Sequence, residues 1–551
     1  MSQRFRVLAS LLVLAALMLP IRASHAQSRA ADTLSGTIHI NLAATDQDVW
    51  QAVANAYMKL HPNVKVLVNL KPTDSHYADY ISSGFAAGTP SFDLVQNNQN
   101  LALINAGKFL DFAPYLNQPD PYIGGKPWRD AIDLKAMAAS AAGNKVYDLN
   151  LETVQIFWFY NKEAFQKAGI ARAPTTWPQL LADCAKLKQA GYIPVSLGGD
   201  YNTLWAANTG WLFRMYADQY TRSLINDERS HPGDYTYDAT IDPKFHYDAS
   251  DPYNDDSDKV TVNPLRRLIA IKKSFSDTPA QAAMDRWRLD SKPLQAVDQN
   301  LHDLMANDTP PGWFGSDATS AYALFLQQKS AIMLDTGARL TSFEKDLKGI
   351  TLANKKKTGA FKPFTLGLFN NPSMVGPYVQ APARTIAVAI DFYGVPKKSF
   401  AQNKLNVDFL EYFTSPQGYG QYVKASIASP NGSLNGPPII RNVQLPAFLQ
   451  ARFNAVKQIG NTEKAGTAGV GSRGFDDYQP SVRSWVDLMQ QYLSNKMTTA
   501  QYARAEQQNV QSNFENVSSQ RAGVVESAFQ EAPSERDAAP WATRLARLGN
   551  W

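Results

Sequence analysis

The chain of 551 residues has one cysteine, Cys184. A single thiol cannot close an internal disulfide, so apolar packing must hold the fold together. Cys184 lies between Leu181 and Leu187 in a helical pattern, which predicts a buried, inert thiol. Charge is also scarce. Asp, Glu, Lys and Arg make up 19% of residues and the net charge is +5, too near neutral over this length for a nucleic-acid binder. The seven histidines are scattered, and no Walker A lysine motif, G-x-S-x-G or H-E-x-x-H occurs. No metal site, cofactor or catalytic residue is therefore expected. Gly469 to Gly474 formally matches G-x-G-x-x-G, but it follows no apolar strand and is set aside. No internal repeat is evident.

What is present begins with Arg4 and Arg6, an apolar run from Val7 to Leu19, then Pro20 and Ser24-His25-Ala26. This order predicts a signal peptide over 1–26 with cleavage before Gln27. The run reaches about 20 Å as a helix, too short to cross a bilayer. With no cysteine near the cleavage site, the exported chain is expected to be free, without a lipid anchor, in the periplasm. Cleavage removes Arg4, Arg6 and Arg22 and no acid, which lowers the net charge from +5 to +2.

The body of the chain alternates strands and helices. Ile38 and Ile40 alternate with His39 and Asn41 over 36–42. Thr45 and Asp48 have capping-box spacing, and Val49, Val53, Tyr57 and Leu60 recur at helical intervals up to Pro62. Strands are predicted over 64–70 and 92–96, with a helix over 77–87 closed by Gly88. A second such pattern starts near residue 150. Gln155 to Tyr160 is apolar and aromatic, a short helix over 161–168 ends at Gly169, and Thr176 with Gln179 caps a helix running to Gly191. A strand over 192–197 opens into Gly198-Gly199-Asp200 and an aromatic helix. Helical signals dominate from Asn406, and 483–514 reads as paired helices. Strand–helix alternation argues for parallel sheets covered by helices, with ligands beyond the carboxyl ends of the strands. That singles out Thr45, Asp46, Asp93, Gln96 and Asn97.

The order of motifs resembles the family 1 extracellular solute-binding proteins, the periplasmic receptors of ABC importers related to maltose-binding protein. The resemblance rests on Trp158-Phe159-Tyr160-Asn161-Lys162 through Gly169, on Pro174-Thr175-Thr176-Trp177, and on Gly191-Tyr192-Ile193-Pro194. Further matches are Gly88-Thr89-Pro90 with Asp93-Leu94-Val95, Lys329 to Met333 with Gly337, and Phe409 to Thr414 with Ser415-Pro416-Gln417. Two residues, Ser91 and Phe92, separate the proline and aspartate of the upstream match, a small departure from the family pattern. The resemblance implies a type II periplasmic-binding-protein-like α/β fold. It has two α/β lobes, a hinge and a ligand cleft between the lobes. The lobes are expected as 27–150 with 325–400, and 151–324 with 401–551. The second would carry an acidic insertion over 218–262 and a helical C-terminal extension. The implied ligand is a carbohydrate, an oligosaccharide by preference, and the implied partner is a membrane permease of an ABC importer. A monomer is expected.

A sugar site needs aromatic faces for the rings and carboxylates or amides for the hydroxyls. Trp205 and Trp211 follow the Gly198-Gly199 turn, but their spacing puts them on different helix faces, one toward the cleft and one toward the core. Trp313, behind Pro310-Pro311-Gly312, is a third aromatic candidate. Asp335 and Arg339 flank Gly337 after a strand, where Asp335 could accept from hydroxyls and Arg339 could donate or pair with Asp335. Tyr393 ends another strand, and Glu152 precedes the second lobe. The aspartates over 251–258 suggest calcium, but their spacing lacks the EF-hand glycine and a solvated insertion is favoured. Lys355-Lys356-Lys357 reads as an exposed turn. An exported carbohydrate-active enzyme, or a receptor feeding a sensor, would use similar side chains.

Overall fold

The computed structural model describes most of residues 34–520. Outside the described residues lie 1–33, 521–551, nearly all of 225–287, 355–361, 456–477 and short stretches such as 72–75, 97–102 and 134–140. The expected signal peptide, nearly all of the acidic insertion from residue 225 on, the lysine run, the 469–474 glycine motif and Asn97 fall there.

Besides two small two-residue ladders within 119–146, the strands are β1 (Gly36–Ile40), β2 (Val64–Val68), β3 (Val95–Gln96), β4 (Glu152–Asn161), β5 (Ile193–Ser196), β6 (Ser330–Thr336), β7 (Leu366–Phe369), β8 (Ala387–Ile390) and β9 (Tyr393–Gly394). The helices begin with α1 (Gln47–Leu60), α2 (His76–Ala86), α3 (Lys162–Lys167), α4 (Trp177–Gln189), α5 (Tyr201–Trp205), α6 (Asn208–Thr221) and α7 (Lys292–Asp308). They continue with α8 (Ala318–Leu326), α9 (Ala338–Asn354), α10 (Phe400–Phe413), α11 (Pro416–Ala428), α12 (Ala447–Ala455), α13 (Tyr478–Leu493) and α14 (Thr499–Gln520).

β1 and β2 pair in parallel from Gly36↔Val64 to Ile40↔Val68, and single bridges carry the pairing on from Ile40 to Leu94. β3 pairs antiparallel with β9, which also bridges Leu149. The apolar face of α1, Val49, Trp50, Val53, Ala54 and Tyr57, is buried, as its spacing requires. The helix starts at Gln47 rather than behind Thr45. Asp46 is its N-cap, and the Asp46 carbonyl accepts from the N–H groups of Val49 and Trp50. No side chain caps it, so the expected Thr45–Asp48 box does not form.

The second sheet runs β7-β4-β6-β5, with β8 pairing the first residues of β4. β6 is parallel to β5 and antiparallel to β4. β4 is apolar on both faces because both are covered. Ile156 and Trp158 pack among α4, α6 and α7, whereas Phe157 and Phe159 join the core containing α1, α8 and α10. The local signals of this half act as read. Asn161 caps α3 by accepting from the Ala164 N–H at 3.0 Å, and Gln179 Oε1 accepts from the Thr176 N–H at 3.3 Å. Gly169 adopts φ +70° at the helix end, where a side chain would be strained. Cys184 is fully buried, and burial pushes its thiol far above the usual range.

Packing divides the chain differently from the sequence boundaries. α10, α11 and α12, expected with the second lobe, share a core with β1, β2 and α1, which Phe157 and Phe159 of β4 also enter. Trp485, Met489, Tyr492 and Tyr502 of α13 and α14 do pack with the second core. β6 and β7, expected with the first lobe, pair in the second sheet. A fully buried ion triad fastens the end of α6 to the segment before β8, with Asp218 between Arg222 and Arg384.

Candidate ligand site

At the first sheet, Thr45 is exposed at the start of α1 and Gln96 is half-buried. The Gln96 backbone N–H donates to Tyr77 Oη at 3.0 Å, and that hydroxyl donates to the Asn41 carbonyl at 2.7 Å. Asp46 is buried and accepts from Tyr422 Oη at 3.4 Å; burial raises its carboxyl above the ordinary range. Asp93 is engaged within the protein. It is 2% exposed and holds the fold: Lys398 Nζ lies 2.8 Å away, the His39 N–H donates at 2.9 Å and Asn406 Nδ2 at 3.3 Å. Tyr393 is likewise a core residue, buried with its ring edge-on to Trp50 at 5.7 Å.

A second group gathers where β4 begins and β6 ends. Here β4 runs between β8 and the extended segment 435–439. The Thr153 N–H donates to the Pro437 carbonyl at 3.0 Å, and Ile439 N–H to the Leu151 carbonyl at 2.9 Å. Glu152 is buried at this junction, and Asn435 Nδ2 donates to its Oε1 at 2.8 Å. The Asn435 carbonyl accepts from the Gln155 N–H at 3.1 Å, and the Gln155 carbonyl from the Gly337 N–H at 2.9 Å. A side chain at Gly337 would collide with the Asn435 carbonyl, which explains the glycine. Asn435 was not singled out from the sequence; Asn-Gly-Pro-Pro over 435–438 signals only a loop.

Beyond Gly337, Arg339 Nε donates to Asp335 Oδ2 at 2.7 Å, and the guanidinium lies over the Tyr322 ring at 4.0 Å. Burial opposes the charge on Arg339, but Asp335, Tyr322 and Asp346 together outweigh it and the guanidinium is held above its ordinary value. Asp335 is 4% exposed and also accepts from the Thr336 N–H at 2.7 Å, so its oxygens serve the protein, whereas the Arg339 side chain keeps 22% exposure. A planar guanidinium on an aromatic face is a preorganised donor for paired oxygens.

The tryptophans divide as well. Trp211 and Trp313 are each 5% exposed and belong to the second core. Trp313 stacks on Phe314 at 4.5 Å and fills the space over Gly199, while Thr203 fills that over Gly198. The two glycines thus admit protein side chains there, not a solute. Trp205 ends α5, and its side chain is outside the described residues. Among the described residues no group of three or more His, Cys, Asp or Glu is placed to hold a metal, and no helix is long and apolar enough to cross a membrane.

Two α/β sheets, helix-covered and joined through β4, β8 and the 435–439 segment, define a type II periplasmic-binding-protein-like fold. The family description "Bacterial extracellular solute-binding protein" matches residues 43–420, and the chain belongs to that family. Binding proteins of Brucella abortus (strain 2308) and Brucella suis biovar 1 are each 23% identical over 211 residues, which is 34% of this chain. The chain spans about half the length of these curated relatives, 49%. Among solved structures, a chitin oligosaccharide binding protein superposes with a TM-score of 0.56 at 15% identity, covering 87% of this chain and 99% of its own. The GacH receptor of Streptomyces glaucescens, solved with acarbose, gives 0.55 at 15% identity over 88% and 100%. An ABC-transporter binding protein of Bifidobacterium animalis subsp. lactis, solved with mannobiose, gives 0.52 at 17% identity over 88% and 95%.

Proposed function

We propose that this protein is the exported receptor of an ABC importer, binding a carbohydrate, an oligosaccharide by preference, in a cleft between its lobes and delivering it to the membrane permease. The observation that carries the reading is the family match over residues 43–420. Neighbours of the same fold that are solved with, or named for, acarbose, mannobiose and chitin oligosaccharides point to the ligand class. The solute-facing groups are Thr45, Gln96 and Arg339 on its Tyr322 platform, with Trp205 as the stacking aromatic. Asp46, Glu152 and Asp335 shape the site from behind. The protein works as a periplasmic monomer released by cleavage after residue 26.

A panel of oligosaccharides, tested by thermal melting and product analysis, checks this. A cognate sugar at a hundredfold excess over its Kd should add about 2.7 kcal/mol of stability, with no shorter product formed. Stabilisation by peptides or amines and by no sugar would move the ligand class. Shorter products would make it an enzyme.

A further inference from the structure

The paired helices α13 and α14 lie beyond the residues matched by the family and pack against α7. Their interface buries two acids, Asp298 of α7 at 5% exposure and Glu506 of α14 at 8%. Both line a cavity of about 30 Å³ whose other walls are apolar, including Phe213 and Ala217 of α6, Leu294 and Val297 of α7, and Trp485 of α13. Trp485 Nε1–H donates to Glu506 Oε1 at 3.0 Å, and Asp298 Oδ2 has no hydrogen-bond partner among the described residues. The titratable groups around the pair are Tyr492 of α13 and Tyr502 of α14, their rings stacked at 4.5 Å, with His302 of α7 on the Tyr492 ring at 4.8 Å and Asp303 beside it. Among the described residues of α6, Phe213 and Ala217 form its part of the cavity wall, and both are apolar.

A carboxylate moved from water into such a wall is disfavoured, and a second one beside it more so. Burial pushes Glu506 up to about 7, and burial together with the Glu506 charge raises Asp298 well above the ordinary range. We propose that Asp298 and Glu506 form a proton-dependent latch: protonated, the pair seats α13 and α14 on α7, and ionised, it loosens them. For an acid raised in the folded state, the unfolded form gives up its proton first. The latch is therefore strongest below the ordinary carboxylate range and weakens as pH rises through the folded value of about 7. Its state reaches the start of α5, because α13 places Arg483 over the Tyr201 ring at 5.7 Å.

Amide hydrogen exchange on the full chain, corrected for intrinsic rates, tests the latch. Between about pH 5 and pH 8, opening of α14 should rise tenfold or more relative to α4, and Glu506→Gln should flatten that rise. Parallel behaviour of α14 and α4, or a wild-type response in Glu506→Gln, would overturn the proposal. If Glu506→Gln does not fold, Asp298→Asn carries the same test, and the wild-type comparison of α14 with α4 decides without either variant.

Discussion

Asn435 clasps both carboxylate oxygens of Glu152, its side-chain amide on Oε1 at 2.8 Å and its backbone N–H on Oε2 at 3.3 Å. The pair sits where β4 enters the second sheet, so it ties the segment 435–439 to the strand that joins the two halves. Removing the amide leaves a buried acceptor short of a donor. Asn435→Ala should therefore cost about 1–3 kcal/mol, read by urea unfolding. An unchanged midpoint would show that the backbone bonds alone hold the junction.

Glu411 of α10 gives a pH prediction. It is buried beside Asp120 and Asp408, and burial first, then those two acids, pushes it up to about 8. A raised folded value means stability is full below the ordinary carboxylate range and is lost as pH rises toward 8. Glu411→Gln keeps the shape without the charge, so the loss between about pH 5 and pH 9 should shrink by about 1–2 kcal/mol. Chemical denaturation across that range checks it; a variant as pH-sensitive as wild type would place the titration elsewhere.

The fold was legible where a signal is local. Asn161, Thr176 and Gln179 cap helices because each cap is completed within four residues. The same holds for the Asp335–Arg339 pair, four residues apart across the junction of β6 and α9. The site was less legible because partners arrive from far along the chain. Asp93 stands at a strand end, as a ligand residue would, but Lys398 and Asn406 reach it from more than 300 residues away. Gly198 and Gly199 have the form of a ligand approach, but Trp313 and Thr203 take the space. Asn435 meets Glu152 across 283 residues, which no periodicity reveals.

The tryptophans separate by the same logic. Trp313 fills the space over Gly199 in the second core, so Trp313→Ala should destabilise the empty protein by about 3–5 kcal/mol. Its direct effect on sugar affinity should be small. Trp205→Ala should instead weaken binding by about 2 kcal/mol or more, roughly thirtyfold. Melting and titration calorimetry on both variants resolve the roles. A Trp205 variant that is destabilised when empty and binds normally belongs to the core.

Arg339 supplies the most direct test of the site. Its charge satisfies buried Asp335, and its planar face lies on Tyr322. Arg339→Ala would strand the Asp335 carboxylate and confound folding with binding. Arg339→Lys keeps a cation for Asp335 but loses the forked donor geometry and most of the stacking. Hydrogen bonds to a charged group are worth about 1.5–3 kcal/mol. The lysine variant should therefore bind its sugar roughly tenfold to a hundredfold more weakly, with a melting temperature close to wild type. Calorimetry against melting separates these outcomes. Full affinity in a well-folded Arg339→Lys variant would leave Arg339 as a structural partner of Asp335 and move the solute contacts toward Thr45 and Gln96.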